Sequence, residues 1–187
     1  MSVPAAGFTV WLTGLPSSGK TTIAGLLVGE LEHRGLMVES LDGDVVRTHL
    51  SKDLGYSRAD RDTNIARLGW VASRLVRHGA PVVVAAISPY SEARAKARAQ
   101  IEEHGRFVEV WVNAPAAACA ERDVKGLYAK AAAGEITGMT GVDDPYEAPH
   151  QPEVTIDTVA LEPAESVALV LAHLEGIGAI PAVGASR

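Results

Sequence analysis

The 187-residue sequence has a single cysteine, Cys119. One thiol excludes an intrachain disulfide and leaves a thiolate zinc site unsupported, so Cys119 is expected to be a small buried apolar side chain. Long apolar runs are missing as well. No stretch reaches the roughly 20 residues that a bilayer-spanning helix needs, and the opening MSVPAAG has neither the basic nor the apolar region of a secretory signal. A cytoplasmic protein with no membrane partner is expected. Positive charge is in deficit, with Lys+Arg 17 against Asp+Glu 23 and a net charge of −6. That disfavours nucleic acid as a partner, because binding a phosphate backbone takes a broad basic face. A small anionic ligand stays open if arginines cluster locally. The six histidines, His33, His49, His78, His104, His150 and His173, lack metal-ligand spacing.

What is present has the balance of a globular protein, 47% hydrophobic and 21% charged residues. The length suits one domain over 1–187, with a core from about 7 to 177 and a flexible tail over 178–187. Strand and helix patterns alternate throughout. FTVWL (Phe8 to Leu12) reads as a strand, and Ile23, Leu26, Leu27 and Leu31 then mark one face of a helix closed by Arg34-Gly35. LMVESL (Leu36 to Leu41) predicts a second strand ending at Asp42-Gly43-Asp44. A helix is predicted from about Arg58 to His78. PVVVAAI (Pro81 to Ile87) is apolar without interruption, as a strand covered on both faces should be, and is placed at the sheet's centre. A helix over Ser91 to His104, a strand FVEVWV (Phe107 to Val112) and a short helix after Pro115 follow. Lys125 to Pro152 breaks the rhythm and reads as a long loop or lid, helical around Leu127 to Ala133. A short strand EVTID and a helix marked by Val167, Val170, Leu171, Leu174 and Ile177 complete the chain. Repeated βαβ units predict an α/β fold in three layers, a mostly parallel sheet with helices on both faces and a lid segment, and the loop GLPSSGKTT between its first strand and helix makes the expected fold one of the P-loop NTPase type.

GLPSSGKTT (Gly14 to Thr22) lies between the first strand and the first helix and matches G-x-x-x-x-G-K-[ST] in the context which that motif requires. A loop wrapped round phosphates must turn backbone N–H groups inward, which Gly14 and Gly19 permit by lacking Cβ. Lys20 brings a point charge to the β- and γ-phosphates, Thr21 a hydroxyl for Mg²⁺, and the following helix its positive N-terminal end. The reaction is narrowed by absences. A regulatory GTPase needs a guanine-selecting N-K-x-D, which is missing, and a motor-type ATPase carries an acid after its central apolar strand, where this chain has Ser88. The acids stand instead at the end of the second strand, Asp42 and Asp44. Small-molecule kinases place carboxylates there to hold Mg²⁺ or to take the acceptor hydroxyl's proton.

Taken in order, FTVWLTGLPSSGKTT, LDGDVVR, LGYS with DRDTNI, AISPY, ERDVKGLYAKA and GEITGMTGVDDPYEAP resemble the adenylylsulfate kinase family over about Gly7 to Ile177. That family phosphorylates the 3′-hydroxyl of adenosine 5′-phosphosulfate (APS) with MgATP. The resemblance implies that Gly14, Ser17, Ser18, Gly19, Lys20, Thr21 and Thr22 hold ATP, with Arg122 by its base or phosphates. It implies that Asp44, Arg47, Tyr56, Arg61, Asn64, Ile87, Ser88, Lys125, Gly138 and Met139 surround APS. Lys20, Asp42, Asp44 and Ser88 become the catalytic candidates, Thr21 and Asp44 the metal ligands, and a homodimer the expected assembly. The residue types suit such a ligand: Arg47 and Arg61 offer planar forks to anionic oxygens, Arg61 and Asn64 share a helical face, and Tyr56 can stack on adenine. The remaining arginines, Arg67, Arg74 and Arg77, read as a solvated face. Two positions depart from the family pattern: Met139 stands where Phe is usual, and Ser17 where a second P-loop Gly is usual. Two alternatives stay open on the residues alone, a related kinase for another small anionic hydroxyl compound and a catalytically silent nucleotide-binding module.

Overall fold

The computed structural model describes residues 7–182. Residues 183–187 of the expected tail, and residues 1–6 of the expected 1–187 domain, lie outside the described residues. Five strands, β1 (Phe8–Thr13), β2 (Glu39–Asp42), β3 (Pro81–Ala85), β4 (Arg106–Asn113) and β5 (Val154–Asp157), form one sheet in the order β2-β3-β1-β4-β5. Every pairing is parallel; Val10, for example, stands opposite Val83 on one side and Val108 on the other. Parallel strands need crossovers, and helices supply them: α1 (Lys20–His33), α2 (Gly43–Leu50), α3 (Arg58–Arg77), α4 (Ser91–Glu102), α5 (Ala116–Arg122) and α6 (Leu127–Ala132), while α7 (Pro163–Gly176) follows the last strand.

Alternation along each strand divides the core in two. Phe8, Val10, Leu12, Val83 and Ala85 face a cluster completed by α1 and α7, whereas Trp11, Val82 and Val84 face one completed by α3 and α4. This is why β3 reads as continuously apolar: both of its faces are covered. The middle strand, however, is β1 and not β3, which sits one place out. The site-bearing loop therefore leaves the centre of the sheet at its carboxyl end, where the chain crosses first to one side and then to the other. Ligand clefts of open α/β sheets form at such a point.

Several sequence expectations shift. On α1, Ile23, Ala24, Leu27 and Leu31 are buried but Leu26 is exposed. At 3.6 residues per turn, Leu26 falls about 60° outside the arc those four cover. Strand β2 begins at Glu39, leaving Met37 in solvent, and is followed at once by α2, a stretch to which the sequence reading assigned no element. The packed chain also runs past Ile177. The amides of Ala179 and Ile180 donate to Leu174 O, and Ile180 is buried, so the expected tail from 178 begins with core residues.

Candidate active site

The P-loop connects β1 to α1. A Cβ on Gly14 would lie 2.4 Å from Val112 O, so glycine there answers a close approach of β4 and no special dihedral. Gly19 is the other case, held at φ 106° as the N-cap of α1. No side chain caps that helix, so its first amides are free for an anion. Ser17 adopts φ 59°, a left-handed conformation that costs an L-residue about 1–2 kcal/mol. Lys20 is buried, and its ammonium donates to Gly14 O at 2.9 Å and Leu15 O at 2.7 Å. Burial pushes its pKa down to about 8, with Asp44 and Asp42 acting in the opposite direction. Ser18 is fully buried and its amide donates to Leu15 O, which shapes the loop; neither it nor Gly14 lines the cleft.

Asp42 ends β2 and caps α2. One carboxylate oxygen accepts from the amides of Asp44 at 2.9 Å and Val45 at 3.4 Å, and the other accepts the Thr21 hydroxyl at 3.0 Å. Both of its oxygens are engaged, so Asp42 orients Thr21 and the first turn of α2. Asp44, in that first turn, is exposed to the cleft and pairs with Lys125 from the opposite side.

Helix α3 starts where the Ser57–Asp60 capping box dictates, and this brings Arg61 and Asn64 to the cleft. Arg61 is not free. Its Nε donates to Tyr56 O at 2.8 Å and its two other nitrogens donate to Thr140 Oγ1 and Gly138 O, which ties the 51–57 loop to the lid. Arg47 donates to Leu54 O and Gly55 O, and its guanidinium lies 4.4 Å from the centre of the Tyr56 ring. Asn64 is buried, lines the cleft, and leaves Oδ1 without a partner. Among the arginines read as a solvated face, Arg67 forms a bidentate pair on the surface with Asp53, which it holds at a pKa of about 2.

One cleft of about 550 Å³ collects most of the candidates. Ser17, Gly19, Lys20, Thr21, Thr22, Asp42, Asp44, Arg47, Tyr56, Arg61, Asn64, Ile87, Ser88, Arg122 and Lys125 all line it. Gly138 and Met139 do not: Met139 is buried, and its carbonyl accepts the amides of Val142, Asp143 and Asp144 in a tight lid turn. Ser88 is also buried, at φ 41°, and its hydroxyl accepts from Trp11 Nε1 at 3.1 Å while donating to Ala86 O at 3.2 Å. That hydroxyl is occupied by its neighbours. Arg122 donates to Thr158 O at 2.6 Å, Thr158 Oγ1 at 3.0 Å and Ser18 O at 3.4 Å. Thr158, Val159, Leu161 and Pro163 complete this end of the cleft and went unassigned in the sequence reading. Their signal was positional: they follow the carboxyl end of β5, the edge at which parallel sheets bind ligands.

A parallel sheet with a phosphate-type loop after its middle strand, a lysine at that loop's end and carboxylates at the neighbouring strand's tip defines a P-loop phosphotransferase. The chain belongs to the adenylylsulphate kinase family, whose sequence model matches residues 6–157. It is 53% identical over 172 residues to the adenylyl-sulfate kinase of Synechococcus sp. (strain JA-3-3Ab), covering 92% of this chain and 96% of the relative. It is 54% identical over 181 residues to a probable bifunctional SAT/APS kinase 2 of Sorangium cellulosum, covering 97% of this chain but 31% of that longer protein. Among solved structures, the Mycobacterium tuberculosis APS kinase CysC in complex with AMPPNP and APS superposes with a TM-score of 0.89 at 44% identity, over 92% of this chain and 99% of that one.

Proposed function

We propose that this enzyme transfers the γ-phosphoryl group of ATP to the 3′-hydroxyl of APS, giving ADP and 3′-phospho-APS. The observation that carries the reading is the single cleft in which the P-loop set, Lys20 to Thr22, faces the acceptor set of Asp44, Arg47, Tyr56, Arg61 and Asn64. The uncapped N-terminus of α1 and the Lys20 ammonium stabilise the charge that develops on the phosphates. Asp44 is exposed in the cleft and takes the acceptor proton once Lys125 releases it. Asn64 Oδ1 offers a buried, unpartnered acceptor to a ligand N–H, a group whose unsatisfied burial costs about 1–3 kcal/mol.

Mg²⁺ fits the donor set. Thr21 and Asp42 bring hard oxygens within 3.0 Å of each other, with Asp44 two residues on, and Mg²⁺ typically takes one or two protein oxygens beside those of the phosphates. Thr21 would hold the ion, which would supply neutralising charge to the phosphates, while Asp44 stays the proton acceptor. The working form we propose is one P-loop kinase domain in a cytoplasmic homodimer; among the described residues no helix is long and apolar enough to cross a membrane. ADP release with MgATP is the test, comparing APS, AMP and buffer as acceptors. Release that depends on APS alone supports the assignment, and equal release with AMP or buffer overturns it.

A further inference from the structure

Arg94 is a charged residue on α4 with almost no exposure, 4%, and no place in the chemistry described so far. Its guanidinium reaches three parts of the chain at once. Nε donates to Glu109 Oε1 on β4 at 2.8 Å, Nη1 to Ser88 O at 2.8 Å, and Nη2 to Glu147 O at 2.7 Å. The first bond neutralises the arginine within the core. The other two bear on the cleft.

Ser88 and its neighbour Ile87 form the cleft wall beside Asn64, and Ser88 is held in the left-handed region at φ 41°. A non-glycine residue stays there only where its surroundings hold it; Arg94 holds the carbonyl, and Trp11 Nε1 the hydroxyl. Glu147 is the foot on which the lid returns to the sheet. Its amide donates to Pro89 O at 2.8 Å, its carboxylate accepts Ser91 Oγ at 2.6 Å, and three residues earlier Asp144 accepts the Tyr90 hydroxyl at 2.8 Å. The foot is thus stapled directly onto the turn that carries Ser88, and the arginine fork joins the two.

We propose that Arg94 is a positioning residue for the acceptor side of the cleft: it fixes the Ser88 turn and the lid foot in one geometry without touching substrate. This rests on the acceptor assignment above. A planar fork is needed because two carbonyls and a carboxylate must be met from one buried point, which a lysine ammonium on a single flexible stem cannot do with the same geometry.

The test is Arg94→Lys, which keeps the charge opposite Glu109 and loses the fork. KM for APS should rise on the order of tenfold, because an acceptor wall displaced by a fraction of an ångström misaligns the hydroxyl, while KM for ATP stays unchanged. A merely structural residue would lower melting temperature and active fraction without separating the two KM values, and that result overturns the proposal. Should Arg94→Lys not fold, Arg94→Gln/Glu109→Gln, which leaves no unpaired buried charge, is read in the same way; failure of both to fold assigns Arg94 to folding and overturns it. Hydrogen exchange without ligand tests the anchoring whatever the acceptor. Faster exchange confined to the amides of residues 86–88, 90, 144 and 146–148 supports it, and unchanged exchange refutes it. Absence of any APS-dependent turnover in the unsubstituted enzyme would instead remove the acceptor assignment and leave the exchange result to decide Arg94.

Discussion

Lys20 ties nucleotide affinity to pH. Its ammonium is buried against the carbonyls of Gly14 and Leu15, and burial lowers its pKa from 10.5 to about 8. A shift of that size corresponds to about 3 kcal/mol favouring the neutral amine in the ligand-free protein. ATP reverses the preference, because phosphates beside the amine favour its charged form. Binding above pH 8 must therefore take up a proton, and affinity should fall about tenfold from pH 7 to pH 9. Calorimetric titration of ATP at pH 7, 8 and 9, in buffers of different ionisation enthalpy, measures both the affinity and the proton uptake. Lys20→Met should bind more weakly and lack both effects. The ligand-free protein shows the same linkage in its stability. Between about pH 8 and 10.5 the unfolded chain still binds the Lys20 proton and the folded chain does not, so wild-type stability relative to Lys20→Met rises by about 1.4 kcal/mol per pH unit; below pH 8 the difference is constant. Affinity that is flat from pH 7 to 9, or an equal slope in Lys20→Met, would refute this account of the lysine.

Lys20→Ala should leave the fold intact and lower turnover on the order of 10³, since a cation beside the transferred group acts chiefly in the transition state; near-normal turnover in a folded variant would contradict the P-loop assignment. Asp44→Asn should reduce turnover steeply with a smaller effect on ATP binding, and parallel loss of ATP affinity would make Asp44 a metal–nucleotide residue instead of the base. Arg61→Ala should weaken APS binding roughly tenfold to a hundredfold and leave ATP binding alone, while equal weakening of both would assign Arg61 to holding the lid. Ser17→Gly should relieve the strain at φ 59° and, after glycine's own entropy cost, raise stability by up to about 1 kcal/mol, or about 2–4 °C in Tm; a lower Tm would contradict it.

The legible parts of this fold are those whose signal is local. FTVWL, GLPSSGKTT and the apolar face after it sit within a few residues of one another, so strand, phosphate loop and helix could be read as one unit. Asp42 was legible as an acid at a strand end, but the hydrogen bonds that it accepts from Thr21 and from the α2 amides were not, because eight residues make only about two turns and give a pattern little room to repeat. Arg94 shows the limit most clearly. The sequence reading gave Ser91 to His104 a helix and Arg94 no role, and only the folded sheet and the lid's return bring Glu109 and Glu147 to that arginine from 15 and 53 positions away. Arg47 and Arg61 line the cleft, yet their bonds to backbone carbonyls depend on how the 51–57 loop and the lid meet, which no spacing in the chain encodes. Met139 was assigned to a ligand wall by its place in the family pattern, whereas the turn closed by Asp143, which accepts the amides of Gly138 and Met139, buries it.

Direct transfer within one cleft is tested by a single turnover of γ-labelled ATP with APS, enzyme in excess, the label being followed by chromatography and denaturing electrophoresis. The account predicts that label appears on the 3′-oxygen of APS with one equivalent of ADP and never on the protein, because the Ser88 hydroxyl is buried and bonded to Trp11 and Ala86. Label trapped on the enzyme, released as inorganic phosphate, or left on ATP would contradict it.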